Sequence, residues 1–116
     1  MSRLAFLGVL TAGLAALSLS LPPPAGGASH AAAKVAVIVI KDIAFGPAPA
    51  GLRVGDTVLW INRDIVRHSA TAAGGAFDLD LPAGARAATV LRRAGDIAYA
   101  CRYHPGMKSA LRVARR

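Results

Sequence analysis

The chain has 116 residues, of which 54% are apolar and only 5% aromatic, and its formal net charge is +8. It contains a single cysteine, so no disulfide can form within the chain. Once the apolar N-terminal segment is set apart, the remaining length allows one small domain with a limited core, to which a bound metal ion would add stability.

The N-terminal segment has the composition of a secretory signal peptide. An arginine precedes an apolar block over 4–21, which ends at three prolines followed by small residues. We predict that residues 1–31 are a helical signal peptide with its cleavage region, cut after Ala28 or Ala31, and that the domain 32–116 is exported to the periplasm. The alternative is an uncleaved anchor, because the apolar block is close to the minimum length of a membrane-spanning helix.

The mature region has the pattern of an all-β protein. Runs rich in β-branched, aromatic or alternating residues, bounded by turn-forming or charged residues, predict strands over 34–41, 57–62, 87–91, 97–101 and 108–113. The first run is so continuously apolar that it fits a strand buried on both faces or a strand in the core of a sandwich. A further short strand is predicted to open at His68, and the Gly/Pro-rich segment 45–51 predicts a loop or a broken edge. Because helical periodicity is absent from this region, we expect a β-sandwich or barrel.

The alternation within the last two predicted strands indicates which side chains face the core. Period two puts Ile97, Tyr99 and Cys101 on one face. Because the other face carries only small side chains, we expect the large face to point inward, with the thiol at the edge of the core. Met107 shares its parity with Leu111, so its thioether is expected to point inward as well.

The residues able to bind a transition metal lie close together near the C-terminus. Cys101, His104 and Met107 fall within seven residues, and a second histidine, His68, lies upstream. A thiolate, two imidazoles and a thioether are the ligands of a trigonal copper site with a weak axial methionine. Taken singly, these residues have ordinary explanations as a buried thiol, a surface histidine and a core methionine. Those explanations do not account for all three in one short loop.

Two longer stretches extend this pattern to a family resemblance. The sequence over 55–64, then His68, then the sequence over 95–107, resembles the cupredoxin (blue copper) family, and the resemblance covers essentially the whole mature region. The Cys-x-x-His-x-x-Met spacing is similar to that of the amicyanins, whereas the plastocyanins have a longer gap before the methionine.

The resemblance implies a Greek-key β-sandwich that holds one type 1 copper ion. It implies His68, Cys101 and His104 as equatorial ligands and Met107 as the axial ligand, with His104 nearest the surface as the port for electrons. Ser69 departs from the family pattern, because many relatives have an asparagine there whose side chain ties the two ligand loops together. A serine hydroxyl is able to make such a link.

These residues favour a non-enzymatic, monomeric one-electron carrier. The expected redox partners are a dehydrogenase-type donor and a cytochrome-type acceptor with acidic docking surfaces, which a cationic carrier would meet rapidly. A copper-binding carrier or storage protein with the same ligands is the alternative. An enzyme is not favoured, because a substrate site would need further metal ligands and only His30 remains. Nucleic-acid binding is not favoured either, given the export signal and the scarcity of aromatic residues.

Overall fold

The computed structural model describes residues 8–10, 12–13, 17–23 and 32–116. Most of the predicted signal peptide, both predicted cleavage points and His30 lie outside these residues, and the expectations for them remain predictions. No helix within the described ranges is long and apolar enough to cross a membrane.

Residues 32–116 form two β-sheets. In chain order the strands are β1 Val35–Lys41, β2 Ala44–Phe45, β3 Leu52–Arg53, β4 Thr57–Asn62, β5 His68–Ala72, β6 Asp78–Leu81, β7 Arg86–Val90, β8 Gly95–Cys101 and β9 His104–Ala114, with a 3-10 turn at Ala73–Gly75. One sheet has the order β2-β1-β4-β7 and the other has the order β3-β9-β8-β5-β6. The pairs β1–β4 and β3–β9 are parallel, and the other pairs are antiparallel. The prediction of an all-β sandwich is therefore confirmed.

The sequence located most of these strands to within two residues. β4 has the predicted bounds, and β2 and β3 lie at the ends of the Gly/Pro-rich segment, as expected of a broken edge. The prediction that β1 is buried on both faces is wrong. Ile38 and Ile40 are buried, whereas Val35 and Val37 are exposed, because the outer face of this sheet meets solvent. β1 is thus a sandwich strand with one inward face.

The inward faces of the two sheets meet in a core built around aromatic side chains. Trp60 of β4 contacts Tyr99 of β8 edge to face, with ring centroids 5.1 Å apart, and Phe45 and Phe77 pack against both rings. Such aromatic contacts each add about 0.5–1.5 kcal/mol beyond the burial of their area. Because Tyr99 and Cys101 share the inward face of β8, this cluster supports the strand end that carries the thiol.

The hairpin of β8 and β9 departs from regular pairing where the predicted ligands lie. Ala100 pairs with Lys108, so a regular ladder would place Cys101 opposite Met107, but the partner of Cys101 is His104. The extra residues of β9 therefore form a bulge. Pro105, which has no amide hydrogen for a ladder, lies within it. The predicted single loop is corrected to a two-residue turn followed by a bulged strand.

Candidate metal centre

Three metal-binding side chains converge at one end of the sandwich. His68 stands at the start of β5, Cys101 at the end of β8 and His104 at the start of β9. The Nδ1 atoms of the two histidines are 3.2 Å apart, and the sulfur of Cys101 lies 3.8 Å from Nδ1 of His68 and 3.5 Å from Nδ1 of His104. His68 is 0% and Cys101 3% exposed, whereas His104 is partly exposed. The chain therefore brings together these predicted site residues from two hairpins.

These separations fit a trigonal arrangement around one metal ion. First-row ions such as zinc bind imidazole nitrogen at about 2.0–2.1 Å and thiolate sulfur at about 2.3 Å. Donors spread around a plane at those bond lengths lie about 3.5–3.8 Å from one another. The observed separations of 3.2–3.8 Å bracket this spacing. One ion thus fits among the three atoms without a large movement of the backbone.

Met107 lies inside the bulge of β9 and is only 4% exposed. Its inward direction confirms the prediction from parity with Leu111, which is fully buried. Together with His68, Cys101 and His104 it is positioned for one copper site. The combination of a thiolate, imidazoles and a thioether suits copper, because soft sulfur favours the cuprous ion and imidazole accepts both oxidation states.

The orientation of the His68 ring is set by a carboxylate. Nε2 of His68 lies 2.7 Å from Oδ2 of Asp64, so the ring donates its proton there and turns Nδ1 toward Cys101. A carboxylate behind a ligating histidine fixes the tautomer and the orientation of the ring. Asp64 is not among the site residues predicted from the sequence. A carboxylate four residues before a candidate ligand was the available signal.

Asp64 is itself held by the turn that links β1 and β2. The amides of Asp42 and Ile43 donate to its two oxygens at 2.7 and 2.9 Å. Asp42 and Ile43 have φ angles of 55° and 54°, a left-handed conformation that costs non-glycine residues on the order of 1–3 kcal/mol each. The Ile43 amide lowers the pKa of Asp64 most, and His68 and the Asp42 amide add to this effect against the opposing effect of desolvation.

Asn62, at the end of β4, shapes the loop that carries Asp64. Its side-chain oxygen accepts the amide of Asp64 at 2.9 Å. Its buried side-chain nitrogen lies within hydrogen-bond distance of the carbonyls of Val66, Leu81 and Pro82, at 2.8–3.1 Å. The loop is thereby fixed to the end of β6. This leads the chain into β5 with His68 facing the cluster.

Hydrogen bonds around Cys101 favour its thiolate. Burial raises the pKa of the thiol, but hydrogen bonds with the His104 ring, the Ser69 amide and the Tyr103 amide lower it, and the pKa falls from 9.0 to about 6. The Ser69 amide donates to the sulfur at 3.4 Å. The cluster is therefore arranged to hold the deprotonated sulfur that metal binding requires.

Ser69 links the two ligand-bearing segments. Its hydroxyl oxygen accepts the amide of Arg102, the residue after Cys101, at 2.9 Å. The serine thus makes the link between segments for which the family resemblance implied an asparagine.

The surface around the cluster carries apolar side chains. Ile65 is 95% exposed, Tyr103 is 44% exposed, and Ile43 and Val66 are also exposed. All four belong to the turns that hold His68, Asp64 and His104. The partly exposed His104 is thus close to solvent on a surface that includes exposed apolar groups.

Solved structures with a similar fold include structures of amicyanin. A Cu(I) variant of amicyanin matches with a TM-score of 0.60 and 25% identity, over 68% of this chain and 81% of that one. A second Cu(I) variant matches with a TM-score of 0.60 and 26% identity, over 74% of this chain and 87% of that one. A reduced Cu(I) variant at pH 4 gives a TM-score of 0.59 and 26% identity over the same shares. No protein-family model matches the chain, and no curated protein matches its sequence. The resemblance to the cupredoxins is confirmed by these neighbours together with the ligand cluster.

Proposed function

We propose that this cupredoxin-like chain is a small exported blue copper protein that carries single electrons between redox partners. The observation that carries the proposal is the preformed cluster, in which the donor atoms of His68, Cys101 and His104 lie within 3.8 Å of one another. A site fixed by the fold need not rearrange much between the cupric and cuprous states. Rapid electron transfer requires that the metal site change little between the two oxidation states, whereas delivery of the metal does not.

The two imidazoles of His68 and His104, the thiolate of Cys101 and the thioether of Met107 would hold the copper ion. The bound copper would supply the one-electron redox chemistry. The chain's own contribution is to orient His68 through Asp64 and to keep the Cys101 sulfur deprotonated with the hydrogen bonds described above.

His104 is the proposed port for electrons. It is the only partly exposed member of the three-donor cluster, and the residue before it, Tyr103, is 44% exposed. A small apolar contact suits a transient encounter, because it brings the exposed ligand close to a partner without a large, long-lived interface. The same partly exposed imidazole gives electrons a short path from the buried site.

We further propose that the partners present acidic surfaces. The chain has a formal net charge of +8, which would speed its encounter with an anionic partner and make the rate fall as salt is added. Export to the periplasm and a non-enzymatic, monomeric state remain part of the proposal. The composition of the leader supports export. The non-enzymatic role is supported by the ligand set, since the described residues contain one cluster of metal-binding side chains.

Reconstitution with cupric ion tests the proposed function. One equivalent should give an intense blue colour that disappears with a reductant and returns with an oxidant over repeated cycles. A colourless site that holds only cuprous ion, or colour lost irreversibly on reduction, would instead favour the copper carrier or storage protein.

The proposed partner chemistry has its own test. Electron transfer from the reduced protein to an acidic cytochrome should slow as sodium chloride is raised, whereas transfer to a basic cytochrome should accelerate or stay constant. Identical salt dependence with both cytochromes would contradict steering by charge and leave the copper assignment intact.

A further inference from the structure

β5 and β8 separate just before the metal cluster, and side chains take over the hydrogen bonding there. Backbone pairing of these strands ends with Thr71 opposite Ala100. The same register, continued, would place Ser69 opposite Arg102. At that position the amide of Arg102 donates to the hydroxyl of Ser69 at 2.9 Å, and the amide of Ser69 donates to the sulfur of Cys101 at 3.4 Å. Ser69 thus continues the ladder toward the metal cluster through its side chain.

The Ser69 hydroxyl is the inner end of a chain of hydrogen bonds that returns to Arg102. Oγ of Ser69 lies 2.9 Å from Oγ1 of Thr71, which donates to Oδ1 of Asp78 at 3.0 Å. The guanidinium of Arg102 forms an ion pair with the same carboxylate oxygen. A path that starts at the main-chain amide of Arg102 therefore ends at the side chain of Arg102, and the four residues form a closed ring.

The direction of each hydrogen bond in this ring follows from the chemistry of its ends. An ionised carboxylate only accepts, so Asp78 takes the single hydroxyl proton of Thr71. Ser69 must then donate its own proton to Thr71, which leaves its lone pairs for the amide of Arg102. Ser69 is fully buried, so water cannot replace a lost partner. The Ser69 hydroxyl thus depends on Thr71 as its acceptor, whereas the ion pair of Asp78 and Arg102 at the outer end is about half exposed.

We propose that Ser69, Thr71, Asp78 and Arg102 form a latch that joins the two metal-binding segments. In this latch Thr71 and Asp78 are positioning residues that bind no metal. The latch would hold the Ser69 amide against the Cys101 sulfur, and hydrogen bonds around such a sulfur tune the potential of a copper site. Its consequence for copper rests on the proposed function, but the latch itself is a property of the metal-free chain.

Amide hydrogen exchange in the metal-free protein tests the latch directly. Thr71→Val removes the hydroxyl at nearly constant shape. We expect the amides of Ser69 and Arg102 to exchange about five-fold faster, the factor that corresponds to one net hydrogen bond. The amide of Tyr99 in the core of β8 is the internal reference, since general destabilisation would accelerate its exchange too. Unchanged exchange at Ser69 and Arg102, or equal acceleration at Tyr99, would overturn the proposal.

A matched pair of variants distinguishes the loss of a latch residue from the loss of a nearby negative charge. Asp78→Ala and Asp80→Ala each remove one carboxylate from β6, but Asp80 contacts Arg67 and Tyr103 instead of the latch. Only Asp78→Ala should accelerate exchange at Ser69 and Arg102, because it leaves the Thr71 hydroxyl without its acceptor. Arg102→Gln should have a smaller effect than Thr71→Val, because the ion pair that it breaks is about half exposed. Equal effects of the two aspartate variants would overturn the assignment.

Copper release extends the test to the loaded protein. Thr71→Val and Asp78→Ala should keep the blue colour but lose copper to a chelator about five-fold faster than the wild type, while Asp80→Ala should match the wild type. If exchange responds as expected but copper release does not, the positioning role is wrong. If the wild-type protein forms no blue centre at all, the proposed function fails, and the exchange measurement still decides whether the latch exists.

Discussion

The two parts of the chain that supply the metal cluster are held in different ways. The segment 101–107 supplies Cys101, His104 and Met107 from one bulged hairpin, so their proximity follows from their spacing. His68 reaches the same place only through long-range contacts, because its ring is turned by Asp64 and Asp64 is held by amides more than twenty residues earlier in the chain.

This difference separates two properties of the centre. The short segment sets which donor atoms are present, and therefore which metal the site prefers. The long-range contacts set the orientation of the His68 ring and how firmly the two segments are joined. Substitutions in the short segment should therefore change the identity of the site, whereas those on the His68 side should change its affinity and rigidity.

The largest expected effect is on the short segment. Cys101→Ser removes the thiolate on which the blue colour depends, so cupric ion should produce no blue absorption. The metal-free variant should still fold, since the cysteine lies at the edge of the core and makes no disulfide. Visible absorption with the wild type as control measures the colour, and circular dichroism measures the fold. Persistent blue colour would show that the sulfur is not a ligand.

The second expected effect is a pH dependence of stability that arises from the Cys101 thiol. Because the pKa of Cys101 falls from 9.0 in the unfolded chain to about 6 in the folded one, its contribution to stability is full above pH 9 and lost as pH falls through about 6. The free energy of unfolding of the metal-free protein should therefore rise between pH 6 and 9, by at most about 4 kcal/mol at about 1.4 kcal/mol per pKa unit.

Denaturant unfolding at several pH values measures this rise, and Cys101→Ser is the matched control that should lack it. An equal rise in both proteins would mean that groups other than the thiol cause it. The window is distinct from that of Asp64, whose lowered pKa affects stability only at acid pH, below its ordinary value of 3.8.

A third effect tests the long-range support of His68. Asp64→Asn removes the charge behind the ring and should weaken copper binding by about 10–100-fold. It should also raise the reduction potential, because the loss of a nearby negative charge favours the less positive cuprous ion. Competition with a chelator and voltammetry measure the two quantities.

Asp42→Asn is the control for this variant, since Asp42 supports the site through its amide and not through its carboxylate. Equal changes in the two variants would assign the effect to charge alone and contradict an orienting role for Asp64.

The smallest effect concerns the axial position. Met107→Gln should keep copper bound but lower the potential by about 60 mV or less, where 59 mV corresponds to a tenfold change for one electron. The amide oxygen is a harder ligand than the thioether and favours the cupric state. Met107→Leu, which offers no donor, should shift the potential the other way. Unchanged potentials would mean that Met107 is not axial.

The same contrast explains how much the sequence could predict. The alternation of side chains predicted that Tyr99 and Cys101 share the inward face of β8 and that Met107 points inward like Leu111. This was possible because the period of two follows directly from strand geometry. Cys101, His104 and Met107 could be assigned to one metal site because their side chains bind transition metals and the residues lie close together in the chain.

The sequence could not predict the features that depend on tertiary pairing. The bulge opposite Cys101 arises from a register shift that spacing does not specify. The link from Ile43 through Asp64 to His68 joins residues from two separate turns, one of them in a left-handed conformation unusual for isoleucine. The latch through Thr71 and Asp78 likewise exists only after β5, β6 and β8 have paired.

A crystal structure of the copper-loaded protein would test the central claim most directly. The account predicts one copper ion within bonding distance of Nδ1 of His68, the sulfur of Cys101 and Nδ1 of His104, with the sulfur of Met107 at a longer distance on one side of their plane. Copper bound without His68, or at a place away from Cys101, would contradict it.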